Sequence, residues 1–187
     1  MKTLIAALAA LAFGSVAAAQ DEAPTGAAVP DWYVEHVDYM TRDGGRWVAD
    51  NSEYRSDEEA ADAYVIVFRP EFGGTSMSAR LFGVTGGQES VDFWHFNGFW
   101  DPVAQEAVLM QTGWGGGLGA GPIWQVDETT IRSEQVFSSP GGPVRTEAHI
   151  FIITGPDEHV TRTERRVADG EWTPGRTYTW VREPVEG

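Results

Sequence analysis

The chain contains no cysteine and, apart from Lys2, no lysine. The first absence excludes disulfides, thiol catalysis and every cysteine-based metal site, so a stable fold has to rest on its packed core. The second leaves arginine to carry nearly all the positive charge: 13 basic residues face 28 acidic ones, a formal net charge of -15. Such a surface repels polyanions, which speaks against nucleic acid and against adsorption to anionic lipid head groups. Beyond the N-terminus no stretch is long and apolar enough to span a bilayer as a helix. No long helical pattern separates the strand-like segments, so βαβ crossovers and a parallel sheet are excluded. Neither an internal repeat that would build a propeller nor a Gly-x-Ser-x-Gly nucleophile elbow occurs.

The first segment reads as a targeting signal. Lys2 supplies the positive end, Leu4 to Phe13 the short apolar run, and Ala17-Ala18-Ala19 the small-residue cleavage site. Residues 1–19 are therefore expected to be removed near Ala19, giving a periplasmic or secreted protein with no membrane span. Residues 20–30, rich in Ala, Pro and acid, read as a flexible leader, and 31–187 as one domain. Asp31 is placed to cap a short helix from Trp32 to about Met40, ended by Gly44-Gly45. Ser56-Asp57-Glu58-Glu59 has capping-box spacing, which predicts a second short helix over Asp57 to Ala61.

From there the pattern is β. Strand-like runs cover 46–51, 64–68, 77–84, 91–99, 107–112, 123–126, 130–137, 144–154, 160–167 and 177–182. Gly, Pro and Asp-Gly punctuation falls between them, and Pro70 closes the second. About nine or ten strands at hairpin spacing predict an all-β fold: a single antiparallel meander closed into a barrel, because an open meander would expose two edges. A two-sheet sandwich is the alternative architecture.

Gly45-Arg46-Trp47 stands at the start of the first strand, just after the helix, and Arg182 near the end of the last, in Tyr178-Thr179-Trp180-Val181-Arg182. This arrangement resembles the lipocalins (calycins), and within them secreted bacterial lipocalin-like barrels of unknown function. The resemblance implies that Trp47 opens the barrel and that Arg182 covers its ring, a cation–π contact sealing one end. Without it, Trp47 reads as a core residue and Arg182 as a solvated one.

With 8 Trp, 9 Phe and 5 Tyr, the chain is heavily aromatic. In Phe93 to Trp100, strict alternation puts Phe93, His95, Asn97 and Phe99 on one face and Trp94, Phe96 and Trp100 on the other. Both faces are aromatic, which suits a strand with a lumen on one side, and a plain core strand equally. Either Trp94, Phe96 and Trp100 or the Phe93 and His95 face is expected to line a ligand cavity. The Gly-rich run 113–121 lacks the following helix and the lysine of a phosphate loop, so it reads as a mobile hairpin at the barrel mouth with Trp114 as a lid. No His spacing supports a metal site, and no cofactor is expected; haem held by His95 is the alternative. Glu147 and His149 share one strand face with Phe151, while Glu164 lies on the next strand, between Arg162 and Arg166. Burial of Glu147, His149 and Glu164 together would allow acid–base catalysis by an isomerase, cyclase or hydrolase; cross-strand salt bridges on the outer wall are the competing reading. Three functions thus remain open: a binder of a small apolar or amphipathic molecule, a cavity enzyme, and an envelope scaffold without a ligand.

Overall fold

In a computed structural model of the chain, residues 28–168 and 170–183 are described. The signal segment 1–19, most of the leader and Asp169 of the Asp169-Gly170 turn lie outside them. A helix, α1 (Asp31–Thr41), precedes ten strands: β1 (Arg46–Asp50), β2 (Ala63–Glu71), β3 (Ser76–Thr85), β4 (Gln88–Asp101), β5 (Glu106–Gly113), β6 (Gly117–Gln125), β7 (Thr130–Ser138), β8 (Arg145–Gly155), β9 (Glu158–Val167) and β10 (Thr173–Arg182). Each strand pairs antiparallel with its neighbours in sequence, and β1 pairs with β10, so the meander closes into a barrel. Closure satisfies the main-chain groups that an open sheet would leave at its edges. The closing seam is short: it matches Trp47 with Arg182 and Val48 with Val181, whereas β2 and β3 match along nine positions from Ala63↔Val84 to Glu71↔Ser76.

Helix α1 is the stopper of one end. Its buried residues Tyr33, His36, Val37, Tyr39 and Met40 recur at helical spacing and turn into the barrel. Tyr33 reaches Gly98 on β4, His36 meets Phe151 on β8, and the Tyr39 hydroxyl donates to the Glu158 carbonyl at the start of β9 (2.9 Å), so the helix crosses the opening from one wall to the other. Behind it Trp47 is wholly buried, with its indole N–H donating to the Met40 carbonyl (2.9 Å). The Arg182 guanidinium lies 4.0 Å from the Trp47 ring centroid and donates to the carbonyls of Tyr39 (2.7 Å) and Arg42 (2.9 Å). The last strand thereby supplies the positive charge that the C-terminal end of α1 lacks in its own last turn. Gly45, at φ 62°, makes the turn from helix to barrel, and a Cβ there would strike the Phe68 carbonyl.

Several local expectations are corrected. The N-cap of α1 is Pro30, with Asp31 inside the first turn and no side-chain cap. Residues 57–61 are irregular: Glu59 turns its carboxylate to Asn51, Tyr64 and Arg176 instead of capping a helix. Pro70 lies within β2, which runs on to Glu71. The run 113–121 is a turn only at 114–116 and is strand from Gly117 onward.

Those glycines have a packing role. Cβ atoms at Gly113 and Gly117 would press on the Trp94 indole at 2.7 and 3.0 Å, and one at Gly119 would strike the Phe137 ring. Gly117 and Gly119 of β6 put no side chain inward, so Trp94 of β4 and Phe137 of β7 can pack against its backbone, whereas Ile123 fills the inward position further along the strand.

Candidate functional site

Above the stopper the barrel encloses a cavity of about 470 Å³, open at the opposite end. His36 and Met40 of α1, with Phe151, His159 and Trp180, form the floor. Ile66 and Phe68 of β2, Leu81 of β3, and Phe93, Trp94 and Phe96 of β4 make an apolar wall. Gln111, Ser133, Glu147, His149, Thr161 and Thr163 face it from β5 and β7 to β9, and Tyr64, Arg176 and Tyr178 border the opening.

Strand β4 does not alternate as simple pleating requires. Leu81 is matched with Trp94 and Phe82 with Asp92, which leaves Phe93 as an extra residue. This bulge turns Phe93 inward beside Trp94. Phe93 packs edge-on to Tyr64 and Trp94 edge-on to Phe137, with ring centroids 6.0 and 5.8 Å apart. Trp94, Phe96 and Phe93 therefore border the cavity. Trp100 packs lower, against the core at the closed end. His95 points out of the barrel, where its ring is 3.0 Å from Asp92. Trp114 is 79% exposed and leans on the outer surface beside Val91, His95 and Thr112, away from the lumen.

The three acid–base candidates are divided by the barrel wall. Glu147 and His149 face the lumen. Glu164 bonds Arg132 (3.2 Å) in an outer network that includes Glu134, with the Arg132 and Arg166 guanidinium groups 5.2 and 4.6 Å from the Trp172 ring centroid. Glu147 accepts from Arg145 (2.7 Å) and Arg165 (2.8 Å). Burial by itself would raise its pKa, but these bonds and the neighbouring positive charges outweigh that and hold it below the usual carboxylate range.

Three histidines border the lumen, and burial keeps each of them neutral. His36 is held down at about 4; His159 is pushed to about 2 by burial, with His36 and Arg182 adding to the effect. His149 is lowered by burial, against a partial counter-effect from Glu147. The Nδ1 atoms of all three and the Oγ of Ser133 are buried without a hydrogen-bond partner in the protein. Among the described residues, no group of three His, Asp or Glu side chains is arranged to hold a metal ion.

The opening is braced by a polar cluster that sequence reasoning did not single out. Arg176 donates to both carboxylate oxygens of Glu59 (2.5 Å each), and Tyr64 donates to Glu59 (2.5 Å). Arg176 also donates to the Tyr178 hydroxyl (3.1 Å), which donates to Asn51 (2.8 Å). The Arg176 bond is the main reason that Glu59 titrates low, at about 2. The one available signal was the placing of Tyr178 at the inward register of Trp180 and Arg182; Glu59 comes from an irregular segment that carries none.

The chain matches no known family model, and no curated protein is significantly similar to it. Among the described residues no helix is long and apolar enough to cross a membrane.

Proposed function

We propose that this protein is a lipocalin-like binder of a small apolar or amphipathic molecule, held in the barrel lumen. One observation carries the reading: a one-ended cavity of about 470 Å³, mostly apolar, in which several polar atoms have no partner. Its size falls in the roughly 300–1,000 Å³ range of small-molecule sites. A solid structural core would have filled that space, since protein interiors pack with few voids larger than a water molecule. The Trp47 and Arg182 contact is what a lipocalin-like barrel would have at its closed end, which supports the family reading. Export after cleavage near Ala19 belongs to the same proposal, and N-terminal sequencing of the protein isolated from its source checks it. The binding reading itself is tested by titrating the protein with an uncharged naphthylamine dye whose emission rises in apolar surroundings. Saturable binding that is lost in Leu81→Trp, which fills the lumen, is expected. Absence of saturation, or full binding by Leu81→Trp, would overturn it.

A second reading has an observation of its own: neutral His149 stands beside Glu147 on the lumen side of β8, positioned to move a proton to or from a bound molecule. If so, His149→Ala abolishes turnover of a bound compound while the dye still binds; turnover unchanged in that variant removes the enzyme reading.

A further inference from the structure

Between floor and mouth, the polar side chains of the wall come from β5 and β7 to β9. The wall from β2 to β4 presents hydrocarbon and aromatic rings, whereas Ser133 on β7 and His149 on β8 look in from the other side. These two are cross-strand partners. Directly opposed residues in an antiparallel pair hold their Cβ atoms about 5 Å apart, so one small group on a ligand can meet both. Ser133 is 4% exposed, and neither its Oγ nor the His149 Nδ1 has a partner within the protein. Buried polar groups left unpaired are rare and costly, and a ligand that satisfies them gains affinity and selectivity together.

Charge is handled differently in this site. Arg176, the cation bordering the lumen, already donates through two nitrogens to Glu59. Glu147, the carboxylate bordering it, already accepts from Arg145 and Arg165. A charged group entering the lumen would lose its hydration and find the counter-charges engaged.

We infer that the cavity selects an uncharged, largely apolar ligand with one hydroxyl or carbonyl oxygen, which hydrogen-bonds to Ser133 and His149, and that it discriminates against the carboxylate of the same skeleton. The inference deepens the binding reading above and rests on it. A serine hydroxyl both donates and accepts, and a neutral imidazole has one donor and one acceptor nitrogen. The pair can therefore serve an alcohol or a ketone, with the ligand choosing the tautomer.

The experiment is displacement of the naphthylamine dye by geraniol, geranic acid at neutral pH and myrcene, with wild-type protein and Ser133→Ala. Geraniol is expected to bind about tenfold more tightly than geranate and about fivefold more tightly than myrcene. In Ser133→Ala the geraniol affinity falls to near that of myrcene, which itself is unchanged. Geranate binding as tightly as geraniol, a geraniol-to-myrcene ratio unaffected by Ser133→Ala, or displacement by none of the three while the dye binds would overturn the inference and leave the cavity reading standing. Failure of the dye itself to bind removes the cavity reading.

Discussion

The two ends of the barrel are built on opposite principles. At the closed end apolar surface does the work: α1 drives Tyr33, Val37, Tyr39 and Met40 against Trp47 and Trp180, and Arg182 lies over Trp47 with its donors on the helix carbonyls. At the open end the contacts are ionic and hydroxyl-mediated, from Glu59, Arg176, Tyr64, Tyr178 and Asn51, and water reaches them: the Arg176 side chain is 43% exposed. Buried apolar contact is strong and stays strong in salt, whereas exposed ion pairs contribute little and are screened. The closed end is thus where stability is concentrated, and the open end is left free to be shaped for a guest.

Substitutions can break or sharpen that contrast. The largest effect is expected for Trp47→Ala, which removes a wholly buried indole: a loss of about 3–5 kcal/mol in urea unfolding. A loss below about 1 kcal/mol would show that the closed end is not the anchor. Next comes acid. In the unfolded chain His36 and His159 regain the ordinary histidine pKa of about 6.5, whereas in the fold they lie at about 4 and about 2. Between those limits the unfolded chain binds protons that the folded protein refuses. Stability is therefore complete above about pH 6.5 and falls as pH drops, by about 2 kcal/mol for each of the two by pH 5. Glu59, at about 2 in the fold and about 4.5 when unfolded, adds little above pH 5 and steepens the loss below it. His36→Phe should flatten the dependence of the urea midpoint between pH 7 and pH 5, and an unchanged slope would place the titration elsewhere. At the mouth, Glu59→Gln should cost about 1 kcal/mol or less, and less again in high salt. A larger, salt-insensitive loss would mean that the two ends are not so different. Smallest of all is Trp114→Ala: a change within about 0.5 kcal/mol and no change in dye affinity, since Trp114 lies outside the lumen.

The fold was legible because its signals are local. Strand runs separated by Gly and Pro, the absence of long helical patterns and the Gly45-Arg46-Trp47 and Arg182 pair led to a closed antiparallel meander behind a short helix, and that is the architecture. What stayed hidden depends on register and space. The inward turn of Phe93 comes from a bulge at its pairing with β3, which no pattern within β4 announces. The glycines of β6 read as a loop because glycine is rare inside strands; the rings of Trp94 and Phe137 over Gly117 and Gly119, and the close approach of the β7 backbone at Gly121, explain them. His149 and Glu147 could be placed on one face from alternation alone, but whether Glu164 joined them depended on which face of β9 turned inward. His36 and His159, one on the helix and the other on the ninth strand, are far apart in the chain and meet around Phe151 only once the helix is seated.

The seam between β1 and β10 joins the beginning of the barrel to its end. During synthesis the hairpins from β2 to β9 can zip up in passing, since each partner follows its neighbour within a few residues. Trp47 has no such option: its cover, Arg182, arrives last. A chain stopped short of the final strand would keep the helix unpinned and the first strand unmatched on one side, so completion of the barrel waits for β10.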